Sequence, residues 1–331
     1  MNQIKKTQYS IDNKEFNYSR RFCIAPMMDW TDRHYRYFAR LMTRNTLLYS
    51  EMVTTGALLY GDKNRHLQYN DEEHPIALQL GGSKPTELAL CSKLAEDYGY
   101  DEVNINVGCP SDRVQNGRFG ACLMAEPQLV ADCINEMQAA ANIPVTVKSR
   151  IGIDDLDSYE FLHTFIDQVA QAGCQHFIIH ARKAWLSGLS PKQNRDIPPL
   201  DYSRVYQIKQ DFPQLEISIN GGIKSLTETS EHLQHIDGVM IGREVYSNPY
   251  LLSEVDQQIY GVDKNVISRE QVINLMAEYV DIYISTTPEH GSNRAWHVLR
   301  HMLGLCNGLA GARQYRRYLI DSSGNSDANG D

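Results

Sequence analysis

From residue 22 onward, short runs of apolar and β-branched residues alternate with longer amphipathic stretches. Eight short runs recur, at residues 22–25, 47–50, 76–80, 102–106, 145–148, 176–180, 216–220 and 238–242. Most are apolar without clean alternation, the pattern expected of parallel strands covered on both faces. Helical spacing fills several of the intervals, at residues 85–98, 126–141, 159–172 and 202–211. Eight strand-plus-helix units over about 250 residues have the count and size of a (β/α)8 TIM barrel. A doubly wound sheet is the rival arrangement, but the Gly-x-Gly-x-x-Gly turn of its dinucleotide-binding form is absent.

Near residue 268 the pattern changes. Residues 269–286, 293–305 and 311–320 read as helices with no strand between them, which predicts a small C-terminal all-helical domain. The expected organisation is a polar leader (1–20), a barrel (21–262), the helical domain (263–320) and a small, polar, acidic, disordered tail (321–331). No apolar run approaches the roughly 20 residues of a membrane span. The leader lacks a secretory signal's apolar stretch, so a cytoplasmic protein is expected, with no membrane and no obligate protein partner. Seven scattered cysteines suit reduced thiols better than a disulfide framework.

Charge refines the picture. The chain of 331 residues carries a formal charge of −9, which argues against a protein that coats nucleic acid indiscriminately. Yet residues 290–320 contain Arg294, Arg300, Arg313, Arg316 and Arg317 and no Asp, Glu or Lys, a local cationic face. Arg182, Lys183, Lys192 and Arg195 form a second cluster after the sixth strand. Such clusters are usually solvated surface, but Tyr315 and Tyr318, interleaved with the arginines, favour RNA because rings stack on bases.

In a barrel the chemistry belongs to the residues where strands end. Here these are Ala25-Pro26-Met27-Met28-Asp29, Glu51, Gln79, Asn104-x-Asn106-x-Gly108-Cys109-Pro110, Lys148-x-Arg150, His180, Asn220-Gly221-Gly222 and Gly242-Arg243. Glycines after the seventh and eighth strands leave N–H groups open to a phosphate, and Arg243 adds charge. A Gly-Gly pair alone is an ordinary turn; its position favours the phosphate. Lys148, buried at a strand end, needs a partner: a Schiff-base carbonyl or the electron-rich edge of a reduced flavin. Cys109, between Gly108 and Pro110, sits on a stiff turn from which a thiol can face the cavity as an acid or a nucleophile. Cys23, Cys133 and Cys174 read as buried and inert. No zinc spacing is present, so no metal is expected.

Taken together, Ala25-Pro26-Met27-Met28-Asp29, Asn104-Ile105-Asn106-Val107-Gly108-Cys109-Pro110, Val147-Lys148-Ser149-Arg150-Ile151-Gly152, Asn220-Gly221-Gly222 and Gly242-Arg243 resemble the tRNA-dihydrouridine synthases. Residues 190–202 and the run Gly311-Ala312-Arg313-x-x-Arg316-Arg317 look like that family's A-type branch, which acts on D-loop uridines at positions 20 and 20a. The resemblance implies an FMN enzyme, reduced by NADPH, that passes hydride from flavin N5 to uracil C6 while a cysteine protonates C5. Carried across by motif, Pro26, Met27, Met28, Gln79, Lys148, His180, Asn220, Gly221, Gly222, Gly242 and Arg243 would hold FMN. Cys109 would be the proton donor, and Asn106, Lys192, Arg195, Arg313 and Arg316 would contact tRNA.

Three other readings stay open: a Schiff-base aldolase using Lys148, a flavin oxidoreductase of free pyrimidines, and a non-catalytic RNA-binding protein. A +5 face has no purpose for a small substrate, which speaks against the second.

Overall fold

The computed structural model describes residues 19–263, 265–286 and 294–323. Residues 1–18 of the expected leader, position 293 at the start of an expected helix and residues 324–331 of the expected tail lie outside these, as does the Arg294 side chain.

Eight strands form the centre: β1 (Phe22–Ile24), β2 (Leu47–Thr54), β3 (Ile76–Gly81), β4 (Glu102–Val107), β5 (Val145–Arg150), β6 (His176–His180), β7 (Glu216–Asn220) and β8 (Gly238–Ile241). All neighbours are parallel, and β1 pairs with β8 through Cys23 opposite Met240, so the sheet closes into the expected barrel. One principal helix follows each strand: α1 (Arg33–Met42), α2 (Thr55–Tyr60), α3 (Pro85–Tyr98), α4 (Pro127–Ala140), α5 (Tyr159–Gln171), α6 (Tyr202–Asp211), α7 (Leu226–His232) and α8 (Arg243–Ser247). Their starts follow local rules. Pro85 and Pro127 occupy first-turn positions where no N–H is missed, and Asp32 and Ser158 cap α1 and α5 through side-chain oxygens. Gly99 ends α3 at φ 93°, a left-handed conformation suited to glycine.

Two details depart from the sequence pattern. β2 continues past Ser50 to Thr54 because a register shift against β3 between Tyr49 and Met52 absorbs the polar Ser50-Glu51 pair without ending the ladder. Strands β4 to β7 do alternate. Glu102, Asn104 and Asn106, then Thr146 and Lys148, His176 and His180, and Ser218 and Asn220 share the inward face, while Val103, Ile105, Val147, Phe177, Ile179, Ile217 and Ile219 join the apolar shell under the helices. The inner apolar cluster is small: Cys23, Ala25, Leu47, Tyr49, Ala77, Ile178 and Met240. The rest of the axis is polar, with many of its side chains paired across strands, as Asn104 is with Thr146.

After the barrel come α9 (Arg269–Thr286), α10 (Arg294–Leu299) and α11 (Ala312–Ser323). They share one continuous apolar cluster with the barrel helices, including Val272, Met276, Val280 and Leu305 alongside Phe38 and Met42. Tyr279 stacks on Tyr37 of α1 at 4.1 Å between centroids, and its hydroxyl lies 2.8 Å from His34 Nδ1. The helix expected over 293–305 tightens after Leu299 into a 3-10 turn, Arg300–Met302, which sets Arg300 and His301 together against Asp32. α11 runs beyond the expected limit at residue 320, with Arg317 and Asp321 paired one turn apart at 3.4 Å. Among the described residues no helix is long and apolar enough to cross a membrane, and no group of three or more His, Cys, Asp or Glu is placed to hold a metal.

Candidate active site

A cavity of about 1420 Å³ opens at the C-terminal ends of the strands. It gathers almost all of the expected site: Pro26, Met27 and Met28 from the β1 loop, Gln79, Asn106 and Cys109, Lys148, His180, Arg195, Asn220-Gly221-Gly222, and Gly242-Arg243. Lys192, Arg313 and Arg316 stand apart, exposed, outside its lining.

Lys148 rises from β5 with its ammonium 3.1 Å from Asn220 Oδ1, and Asn220 is itself held by donating to the Met240 carbonyl at 2.8 Å. Burial, then repulsion from Arg150, pushes the lysine down to about 7. Next to it, His180 has a buried Nδ1 with no partner in the fold. Burial, then the charges of Arg150 and Lys148, hold this ring well below the usual histidine range, so it is neutral. A half-buried cation held by one amide oxygen, together with an orphaned ring nitrogen, fits a bound group rich in acceptors and negative charge.

The β7 loop adds the cradle. Gly221 (φ 115°) lies against the imidazole, where an added Cβ would meet His180 Cε1 at 3.1 Å, and Gly222 (φ 77°) would drive one to 2.5 Å from Leu200 Cδ1. Only glycine tolerates both the conformation and the space. Gly242 leads into α8, and a Cβ there would only touch Ala25 Cβ at 3.4 Å and Met27 Sδ at 3.5 Å, so space alone does not demand glycine at that point. Arg243 pairs with Asp196 at 2.8 Å, which ties the loop bearing Arg195 to the end of β8. A tight glycine turn of this kind fits a bound phosphate group.

Cys109 is fixed from three sides. Asn106 Oδ1 accepts from the N–H groups of Gly108 and Cys109 at 3.1 and 2.9 Å. Arg150, which the strand-end reading noted without a role, donates to the Gly108 carbonyl at 2.8 Å and to the carbonyls of Lys183 and Asn194 at 3.1 Å, clasping the β4 and β6 loops. The Cys109 carbonyl accepts from Ala121 N–H at 2.9 Å, an approach open only because residue 120 is glycine: a Cβ there would sit 2.6 Å from that carbonyl. The thiol, half-buried, points to Ser111 Oγ at 3.6 Å. The contrast with other thiols is clear: Cys23, Cys133 and Cys174 are buried, and burial pushes the last two up to about 12.

Parts of the cationic clusters are otherwise engaged. Lys183 pairs with Asp157 at 2.6 Å and lies over Trp185, and Tyr315 turns inward with its hydroxyl on the Met302 carbonyl at 3.3 Å; Tyr318 alone of the two tyrosines is exposed. Sequence reasoning missed the opposite wall, where Arg33, Arg65, His66, Tyr283 and His297 join Arg300 around the cavity. They are scattered along the chain, and nothing local marks them.

The family model described as "Dihydrouridine synthase (Dus)" matches residues 23–330. A protein of Shewanella oneidensis called tRNA-dihydrouridine(20/20a) synthase is 64% identical over 311 residues, covering 94% of this chain and 91% of that one. The protein of the same name from Vibrio cholerae is 62% identical over 307 residues, 92% of each chain. Among solved structures, a 2-naphthoyl-CoA reductase complex superposes with a TM-score of 0.55 at 10% identity over 72% of this chain, which spans half of that longer one; it is similar in fold. With the family model covering nearly its whole length and identities of 64% and 62% to these two relatives, this chain belongs to the dihydrouridine synthase family.

Proposed function

We propose that this protein reduces the C5–C6 double bond of uridines 20 and 20a in the tRNA D-loop to 5,6-dihydrouridine, using bound FMN and NADPH. Lys148, His180, Asn220, Gln79, Gly221, Gly222, Gly242, Arg243, Pro26, Met27 and Met28 would hold the cofactor. When bound, the flavin supplies hydride for C6 of the uracil. Cys109 holds a proton at Sγ and gives it to C5, a position that water could not occupy in a controlled way. Asn106 and Arg195, both lining the cavity, orient the pyrimidine. Lys192, Arg313 and Arg316 grip the RNA backbone farther out, offsetting the few kcal/mol that unstacking the base costs. This division gives residues 263–320 the role of a tRNA-binding domain, and the reaction belongs in the cytoplasm.

The observation that carries the reading is the convergence of Lys148, the orphaned His180 Nδ1, the Gly221-Gly222 turn and the clasped Cys109 on one cavity. The test is direct. Purified protein should release FMN on heating and, given NADPH and tRNA lacking the modification, should add two hydrogens to uridines 20 and 20a, read by mass spectrometry of nuclease fragments. Protein that neither carries nor binds flavin overturns the reading. One observation favours a second: the Lys148 amine, pushed down to about 7, has the basicity a Schiff-base lyase needs. Covalent trapping of a carbonyl substrate by borohydride would support that alternative.

A further inference from the structure

Below Cys109 a single file of buried polar side chains descends the barrel axis. Asn106 Nδ2 donates to Gln79 Oε1 at 2.8 Å, Gln79 Nε2 to Asn104 Oδ1 at 2.8 Å, and Asn104 Nδ2 to Thr146 Oγ1 at 2.8 Å. Thr146 Oγ1 then donates to Glu102 Oε1 at 2.7 Å. At the floor, the other Glu102 oxygen faces the Arg20 guanidinium at 2.8 Å, and Arg20 also reaches Glu216 at 3.0 Å. All of these except Glu216 are buried.

The direction of this file follows from its lower end. A primary amide can point either way, since its oxygen and nitrogen have nearly the same shape, but an arginine-paired carboxylate only accepts. Thr146 must therefore spend its one proton on Glu102 and accept from Asn104. Asn104 then turns its oxygen to Gln79, and Gln79 turns its oxygen to Asn106. Asn106 is left with its oxygen upward, where it accepts from Gly108 and Cys109. With the opposite polarity, Asn106 would aim its NH2 at two N–H donors, and the cysteine loop would lose its anchor.

We infer that Glu102 and Thr146 are positioning residues: the arginine-paired carboxylate at the barrel floor sets, through Thr146, Asn104 and Gln79, the amide orientation of Asn106 that holds Cys109 in place. The inference deepens the proposed function, because the loop it governs carries the proposed proton donor and Gln79 lies in the proposed flavin site.

The experiment compares Thr146→Val, which keeps the shape but breaks both links, with Thr146→Ser, which keeps the hydroxyl, and with Tyr49→Phe. Tyr49 donates to the same Glu102 oxygen at 2.6 Å without belonging to the file. Three quantities are read on each holoenzyme: flavin content and visible spectrum, kcat with saturating tRNA, and the rate at which iodoacetamide alkylates Cys109, followed by peptide mass spectrometry. Thr146→Val should retain flavin with an altered spectrum and lose kcat on the order of tenfold to a hundredfold, with a changed Cys109 alkylation rate. Thr146→Ser and Tyr49→Phe should match the parent in all three. Parental behaviour of Thr146→Val, equal impairment of Thr146→Ser, or equal impairment of Tyr49→Phe each overturns the inference. If Thr146→Val does not fold, Glu102→Gln decides in its place, since its amide lifts the polarity requirement and should give the same losses. A parent enzyme inactive on tRNA would count against the proposed function, while the alkylation rates would still decide whether the file holds the cysteine.

Discussion

Asp32 and Arg300 are 268 positions apart in the chain and 2.5 Å apart in the fold. The same carboxylate caps α1, accepting from the N–H groups of His34 and Tyr35 at 3.0 Å, and also meets His301. One side chain thus starts the first barrel helix and fastens the C-terminal segment beside the cavity. In a double-mutant cycle, Asp32→Asn and Arg300→Met should show a coupling of about 1 kcal/mol or more in thermal or denaturant unfolding. Additive effects would mean that the pair contributes nothing beyond its separate contacts.

Acid should loosen the fold through its buried histidines. Burial holds His34 down to about 3 and His176 well below the usual range, so both are neutral in the folded state. In the unfolded chain they take up protons below about pH 6.5, and each then removes up to about 1.4 kcal/mol of stability per pH unit as the pH falls. Full stability is therefore present above that value and is lost on the way down. Tm measured from pH 8 to pH 5 should fall accordingly, and His34→Gln should flatten the slope. A Tm independent of pH across this range would contradict the neutral, buried assignment.

Cys109→Ala should keep flavin and tRNA binding and lose about 10²- to 10⁴-fold in dihydrouridine formation, the range for removing a positioned proton donor. Single-turnover oxidation of the reduced flavin by tRNA measures this separately from reduction by NADPH, which should be unaffected. Equal loss in both half-reactions would assign Cys109 to the cofactor rather than to the substrate.

The proposed contact of Lys148 with the flavin carries a proton signature. With the cavity free of anions its amine is pushed down to about 7, so at pH 8 most of it is neutral. The negative charge of a reduced flavin beside it favours the ammonium, and binding of reduced FMN by the apoprotein at pH 8 under anaerobic conditions should take up about one proton. Calorimetry in buffers of different ionisation heat reads this number, and Lys148→Met should abolish it.

Arg313→Ala and Arg316→Ala should each weaken tRNA affinity and lower the salt slope by about 1, without releasing flavin. Filter binding across a salt series, with flavin absorbance recorded in parallel, checks both. Flavin loss in either variant would join the exposed face of α11 to the cofactor site, from which the fold separates it.

Most of the barrel was legible because buried parallel strands are short and apolar while the cavity-facing residues cluster at their ends. Asn106, Cys109, Lys148, His180 and Gly221-Gly222 stand in local motifs, and all of them meet at one cavity. Two things were not legible. The inward alternation of β4 to β7 hid because its polar members pair with one another across strands, as Asn104 does with Thr146, which no single strand reveals. Arg33, Arg65 and Arg300 were invisible as a group because only the docking of α9 and the 3-10 turn on α1 brings them to one wall. Even local chemistry misled in places: Tyr315 has the spacing of a base-stacking residue, yet packing claims its ring.

Because Tyr283, His297 and Arg300 belong to the lining itself, the reaction vessel is not complete within the barrel. Chimeras that exchange the C-terminal segment between relatives would transplant part of the chamber wall along with any docking surface. A change of target nucleotide in such hybrids would therefore report a reshaped interior as much as a new grip on the RNA, and the two segments are constrained to diverge in concert.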